Sequence, residues 1–374
     1  MSVTEPAAAT ASPTEAAPAV RSPLLAVPGA VEAEGPDAGV AWHYGDPVRE
    51  QRRLASGEAA VDLSNRGVLT VTGPDRLSWL NSLTSQSVLG AAPGEARETL
   101  VLSPHGHVEH DLHLVDDGST VWITVEPGTA PALHDWLDRM RFMLRVEVAD
   151  VTGRYGVVGA APALAERLRA EFAGAEVPGT ADGAPQAPPV WVDPWPTLGP
   201  TSASYAAVDE AGHPGRERAF AEVLLPREAL ATLAASVPLA GTWAAEALRV
   251  AAWRPRLGFE TDHRTIPHEV DWLRTAVHLQ KGCYRGQETI ARVHNLGRPP
   301  RRLVFLHLDG SEHTLPSHGD PVHGGERQVG FVTTAARHHE LGPIALALVK
   351  RSTPVDAPLT AAGIPATQEA VVAP

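Results

Sequence analysis

Along this chain the hydrophobic positions alternate every second residue in some stretches and recur every three to four in others, and those changes of period mark out its elements. Pro47–Ala55 reads as a helix opened by Asp46, with Pro47 at the first position, where a missing N–H costs nothing. Alternation over Gly67–Thr72 predicts a strand, Gly73-Pro74-Asp75 a turn, and Arg76–Leu83 a helix burying Leu77, Leu80 and Leu83. Segments 99–102 and 107–115 predict a hairpin around Ser103-Pro104-His105-Gly106, continued by a strand over Thr120–Val125. A helix over 131–140, strands over 144–148 and 155–159, and a helix over 163–172 complete a first half. A strand over 219–225 and helices over 226–235 and 243–252 follow, the last capped by Thr242 with Glu246 in its first turn. The similar order predicts two related α+β subdomains. Beyond Pro299-Pro300, alternating segments at 301–308, 321–323, 328–333 and 344–349 with Gly-rich turns predict a small β-barrel.

Three stretches carry no period. Residues 1–38, rich in Ala, Pro, Glu and Ser, and residues 357–374 read as disordered tails. Residues 177–203 read as a Gly/Pro/Ala-rich surface insertion clamped down by Trp191 and Trp195. The α+β region then spans 39–298 and the barrel 299–356. A net charge of −13 argues against a surface for nucleic acid, since neutralising phosphates needs a basic face. A single cysteine cannot form an intrachain disulfide, which fits a reducing, cytoplasmic setting. No apolar run approaches the roughly 18 to 20 residues of a membrane span, and the N-terminus lacks the pattern of a secretion signal. Dinucleotide, P-loop and nucleophile-elbow patterns are absent from the sequence.

The densest chemistry lies in Gln280-Lys281-Gly282-Cys283-Tyr284-Arg285-Gly286-Gln287-Glu288. It holds the only cysteine and one of only two lysines, in a chain that otherwise writes its cations as arginine. Gly282 and Gly286 allow the backbone positive φ or close approach, and 287–293 reads as a helix starting just beyond the thiol. Lys281, Arg285 and the free N–H groups of that helix would favour thiolate at Cys283. The alternative is a packed, inert cysteine.

Lys281 to Glu288 resembles the signature of the YgfZ family, folate-binding proteins of iron–sulfur cluster maintenance related to the glycine-cleavage T-protein. Ala247 to Ala252, Thr265 to Glu269, Asp62 to Gly67 and Leu80 to Gln86 support it, so the similarity runs from about His43 to about Lys350. It implies a T-protein-like α+β fold with a C-terminal β-barrel. It also implies tetrahydrofolate or a one-carbon derivative as cofactor, iron–sulfur client or carrier proteins as partners, and no stably bound metal. The resemblance places Glu222 on the strand that carries a pterin-binding glutamate; the alternative is a solvated edge-strand carboxylate. Arg249, a lone cation in an apolar helix, resembles the arginine that meets folate. Arg66 stands where some relatives place an aromatic residue. Asp111 resembles the catalytic carboxylate of a paired-aspartate stretch whose first member is here His110. Tyr284, Gly282, Gly286, Gln287 and Glu288 complete the implied folate-binding set, with Cys283, Lys281 and Asp111 as the implied chemical groups.

Two further patterns come from the residues alone. His105, His107, Glu109, Asp111 and His113 share one parity, so a flat strand would line them on one face, either as a metal row or as a polar half-exposed face. Arg292, Arg298, Arg301 and Arg302 form a basic run that is either a solvated surface or a receiver for polyglutamate or an acidic protein. Three functions stay open: a folate-binding accessory to iron–sulfur enzymes, a folate-dependent aminomethyl- or methyltransferase, and a non-enzymatic folate-binding module.

Overall fold

The computed structural model describes residues 21–173, 189–311 and 313–373. The alternating segments of the first half become a five-stranded antiparallel sheet in the order Ala96–Leu102, Val108–Asp116, Thr120–Val125, Gly67–Thr72, Glu147–Asp150. One face packs Leu69, Val71, Leu112, Leu114 and Ile123 against Trp79 and Leu80 of helix Arg76–Leu83 and Leu133 and Leu137 of helix Ala130–Met140. The other face, carrying Asp111 and His113, looks inward to the rest of the molecule. A second five-stranded sheet runs Val190–Val192, Ala221–Pro226, Tyr155–Ala160, Ala60–Asp62, Leu239–Ala240, with only the last pair parallel. Ala60–Asp62, from the start of the chain, lies inside this second sheet, so the two subdomains interleave.

The barrel closes with six strands in the order Arg301–Leu308, Gly342–Lys350, Arg327–His338, Pro321–Gly324, Leu359–Ala361, Ile364–Ala370. Residues 357–373 are therefore not a tail. Ile364–Ala370 reads Ile, Pro, Ala, Thr, Gln, Glu, Ala, and its weak hydrophobicity hid a strand whose Ala366 and Ile364 fill the barrel interior with Leu359. The tail expected over 1–38 also fails where it is described. Leu24 is buried in the core beneath the second sheet, Val31–Glu32 pairs with Ala41–His43, and Asp37 is buried in an ion pair with Arg256. The first 20 residues lie outside the described part of the chain.

Within 177–203, residues 177–188 lie outside the described residues. The remainder is no mere surface clamp, because Val190–Val192 is an edge strand and Trp191 is 1% exposed. Helix Thr242–Ala251 begins one residue earlier than expected, so Gly241 takes the cap position and Thr242 instead donates to the Ala41 carbonyl. Where the two sheets and the barrel meet, Leu100, Val108, Trp253, Trp272, Tyr284, Phe305 and Leu346 form a shared core.

Candidate functional site

The hairpin of the first sheet carries the key polar residues because of one irregularity. Leu102 pairs with Val108 but Val101 pairs with His110, so Glu109 is an extra, bulged residue. The bulge breaks the single-parity row expected of His105, His107, Glu109, Asp111 and His113. Glu109 turns outward to Arg285 (2.9 Å), whereas Asp111 and His113 point into the interior.

There they meet Glu222 of strand Ala221–Pro226. His113 Nδ1 lies 3.1 Å and 3.2 Å from the two Glu222 oxygens, and Thr124 Oγ1 donates to Glu222 Oε2 at 2.6 Å. Arg66 donates to Glu222 Oε1 and to Glu126 Oε1, both at 2.6 Å. Trp191 stacks flat on the His113 ring, 3.7 Å between centroids and 1° between planes. Burial opposes the charged form of both partners. Arg66 and His113 nonetheless hold Glu222 well below the usual carboxylate range, and Glu222 with Asp111 pushes His113 up to about 10.

A ring of ion pairs surrounds this centre. Arg249 donates to Glu246 (2.8 Å), Glu260 (2.7 Å), the Arg254 carbonyl (2.6 Å) and Thr334 (3.0 Å). Arg254 pairs with Glu98 (2.7 Å) and Asp193 (3.2 Å), and Arg218 also reaches Asp193 (2.9 Å). Arg256 joins Asp37 (2.6 Å), Glu126 (2.8 Å) and Glu246 (3.2 Å). Burial pushes the Glu98 carboxyl up, against the pull of Arg254.

The space these groups enclose is about 30 Å³. It admits a water or two, whereas pockets for organic ligands span roughly 300–1,000 Å³. Both oxygens of Glu222 are engaged, by Arg66, His113 and Thr124. Arg249 is likewise saturated by internal partners. A hollow of about 400 Å³ adjoins the cavity and shares Arg218 and Phe220 with it. Leu54, Phe220, Leu248 and Ala251 make it apolar, and Arg218, His338 and Glu340 supply polar groups. The Arg218 guanidinium sits over the Phe220 ring at 4.0 Å. Sequence reasoning passed over Arg218, His113 and Trp191. His113 was seen only as one of a row, and nothing in the local pattern set Trp191 apart from Trp195.

The Lys281 to Glu288 loop occupies another place. Cys283 is exposed and lies outside the lining of the polar cavity. Lys281 donates to the carbonyls of Thr84 and Gln86, both at 2.7 Å, and burial lowers its pKa to about 8. Tyr284 is a core residue with the Lys281 ammonium 5.4 Å from its ring. Gly286 has φ +84°, and a Cβ there would stand 2.6 Å from the Ser103 carbonyl oxygen. Gly282 has ordinary φ and open space, so it needs no special account. Gln287 donates to the Lys281 carbonyl (3.4 Å), and Glu288 is exposed at the start of helix Gln287–Leu296. Of the expected set, the structure thus brings together Asp111, Arg66, Glu222 and Arg249, and holds Cys283, Lys281, Gly282, Tyr284, Gly286, Gln287 and Glu288 apart from them. The loop meets the hairpin at Gly106 and, through Arg285, at the outward-turned Glu109, whereas Asp111 and His113 point inward from the same strand. The basic run is dispersed too, because Arg301 is forked onto Asp262 and Glu269 and Arg302 is buried against Thr353 and Gln368.

Residues 39–177 match the GCVT N-terminal domain and residues 301–370 the glycine cleavage T-protein C-terminal barrel domain. An aminomethyltransferase of Synechococcus sp. is 30% identical over 318 residues, 81% of this chain and 82% of that one. One from Streptomyces avermitilis is 27% identical over 323 residues, 82% of each chain. The crystal structure of glycine cleavage system aminomethyltransferase T from Bartonella henselae, 18% identical, superposes with a TM-score of 0.72 over 94% of this chain and 95% of that one, which establishes a shared fold. The folded architecture and these similarities together place the chain in the glycine-cleavage T-protein (aminomethyltransferase) family.

Proposed function

We propose that this chain is a YgfZ-type member of the family: an accessory protein that binds a reduced folate and sustains iron–sulfur enzymes, with Cys283 as its reactive group. The observation that carries this reading is the presentation of the thiol. Cys283 is exposed on a turn whose neighbours are anchored, Lys281 through two carbonyls and Tyr284 in the shared core, so it is offered to a partner rather than enclosed with a small substrate. The apolar hollow of about 400 Å³ is of a size for a bicyclic ring with its benzoyl extension, and Arg218 on its wall is suited to a carboxylate. The test is complementation of a strain lacking this gene. Cys283→Ala is expected to leave cluster-dependent enzyme activity at the level of the deletion while Arg218→Ala weakens tetrahydrofolate binding by tenfold or more. Full restoration by Cys283→Ala would remove the thiol from the function.

A second reading, an aminomethyltransferase acting through Asp111, is favoured by relatives of that name at 26–30% identity over about four fifths of the chain. Formation of methylenetetrahydrofolate from an aminomethylated carrier by the purified protein, lost in Asp111→Asn, would establish it.

A further inference from the structure

We infer that Glu98, Asp111 and His113 form a binding site for one divalent transition-metal ion at the polar cavity. Glu98 pairs with His113 across the hairpin and Leu100 with Asp111, so all three side chains leave the same face of the sheet. One ligand atom from each lies within 4.8 Å of the others, and all three residues are buried.

The independent observation is Asp111 itself. It is 6% exposed, and its Oδ1 is buried without a hydrogen-bond partner among the described residues. A buried carboxylate oxygen with nothing to accept from is costly. Its other oxygen stands 3.6 Å from His113 Nε2, beyond a hydrogen bond but close to the separation of two ligands on a tetrahedral ion with bonds of about 2.0–2.2 Å. The far side of the ring is already arranged for ligation. Glu222 meets Nδ1, and a metal entering on the other side would displace the proton of Nε2 to solvent, completing a carboxylate–histidine–metal relay in which Trp191 holds the ring plane. Glu98 is shared, since Arg254 lies 2.7 Å from one oxygen and the Thr275 hydroxyl donates to the other, but each carboxylate oxygen keeps a second lone pair.

Charge points the same way. The buried network contains eight carboxylates against five guanidinium groups and the imidazolium of His113. A dication beside Asp111 offsets the excess more fully than a single proton does. The free 30 Å³ has room for a water completing the coordination. One imidazole and two carboxylates without a thiolate select Zn²⁺, Co²⁺, Mn²⁺ or Fe²⁺ over Cu⁺.

The test is titration of the chelator-stripped full chain with Co²⁺ and Zn²⁺. One equivalent of Co²⁺ with a visible d–d spectrum, displaced by Zn²⁺, is expected, and Asp111→Asn and His113→Gln should each weaken binding at least tenfold. A His105→Gln/His107→Gln double variant, which removes a histidine pair at the hairpin turn outside both the cavity and the hollow, should bind as the wild type does. On the unmutated chain, Mn²⁺ should broaden the Trp191 indole resonance before that of Trp42, a readout that needs no variant to fold. Absence of binding at millimolar metal, undiminished binding by Asp111→Asn and His113→Gln, or broadening of Trp42 first would each overturn the site.

Discussion

Arg66 and His113 between them decide what the interior can accept. A guanidinium joined to Glu222 and Glu126 at 2.6 Å bridges two buried carboxylates that His113 and Arg256 also pair. His113 sits between Glu222 and Asp111, with Arg66 3.3 Å from its Nδ1, and is held protonated up to about 10 against an ordinary value of 6.5. A basic group whose folded pKa is raised contributes stability that is complete below about 6.5 and is lost as pH climbs from there to about 10. Chemical denaturation of the chelator-stripped chain, in which His113 keeps both its protons, should therefore show a midpoint that falls over that window. His113→Gln should be less stable at neutral pH and show a shallower fall. Lys281, lowered to about 8, acts in the opposite sense, so the difference between the two proteins isolates His113.

At the level of elements, two turns lock the thiol loop to the first sheet. Gly106 has φ +77° with Thr289 2.9 Å from its would-be Cβ, and Gly286 has φ +84° facing the Ser103 carbonyl. Gly286→Ala combines left-handed backbone with a contact no real Cβ makes, so the two turns must part. A loss of about 1–3 kcal/mol is expected. Cys283 should then be labelled faster by a thiol reagent, while a Gly282→Ala control, at a position with ordinary φ and open space, should be near neutral in both measurements. The same hairpin shows how an element can mislead a linear reading. A strand has a period of two only while its ladder is regular, and the bulge at Glu109 reversed the faces of the residues before it.

Across the whole molecule, the barrel and the N-terminal segment act as closures rather than appendages. Leu359 and Ile364 fill the barrel, Val371 and Val372 reach the shared core, and Asp37 completes the pairing of Arg256. Removing residues 357–374 should open the barrel along two strand pairs, Pro321–Gly324 with Leu359–Ala361 and Arg301–Leu308 with Ile364–Ala370. A melting temperature lower by ten degrees or more and aggregation on size exclusion are expected. A truncated chain that melts within a few degrees of the full one would mean that the barrel closes without these strands. No helix among the described residues is long and apolar enough to cross a membrane.

The sequence by itself determined the helices and most strands, because period and capping are local: Asp46 caps Pro47–Ala55 as expected, its Oδ1 accepting from the Arg49 N–H at 3.0 Å. Arg249 stands out in one dimension as a lone cation in an apolar helix, whereas Asp111, Glu222 and Arg66 were singled out by the family resemblance. The sequence did not reveal that these four share a cavity, that the thiol loop lies outside its lining, or that weakly hydrophobic 359–370 closes a barrel. Pairing between distant segments, the bulge that reorients Asp111 and the saturation of Glu222 by Arg66 depend on contacts between residues far apart in the chain, and only the tertiary structure brings them together.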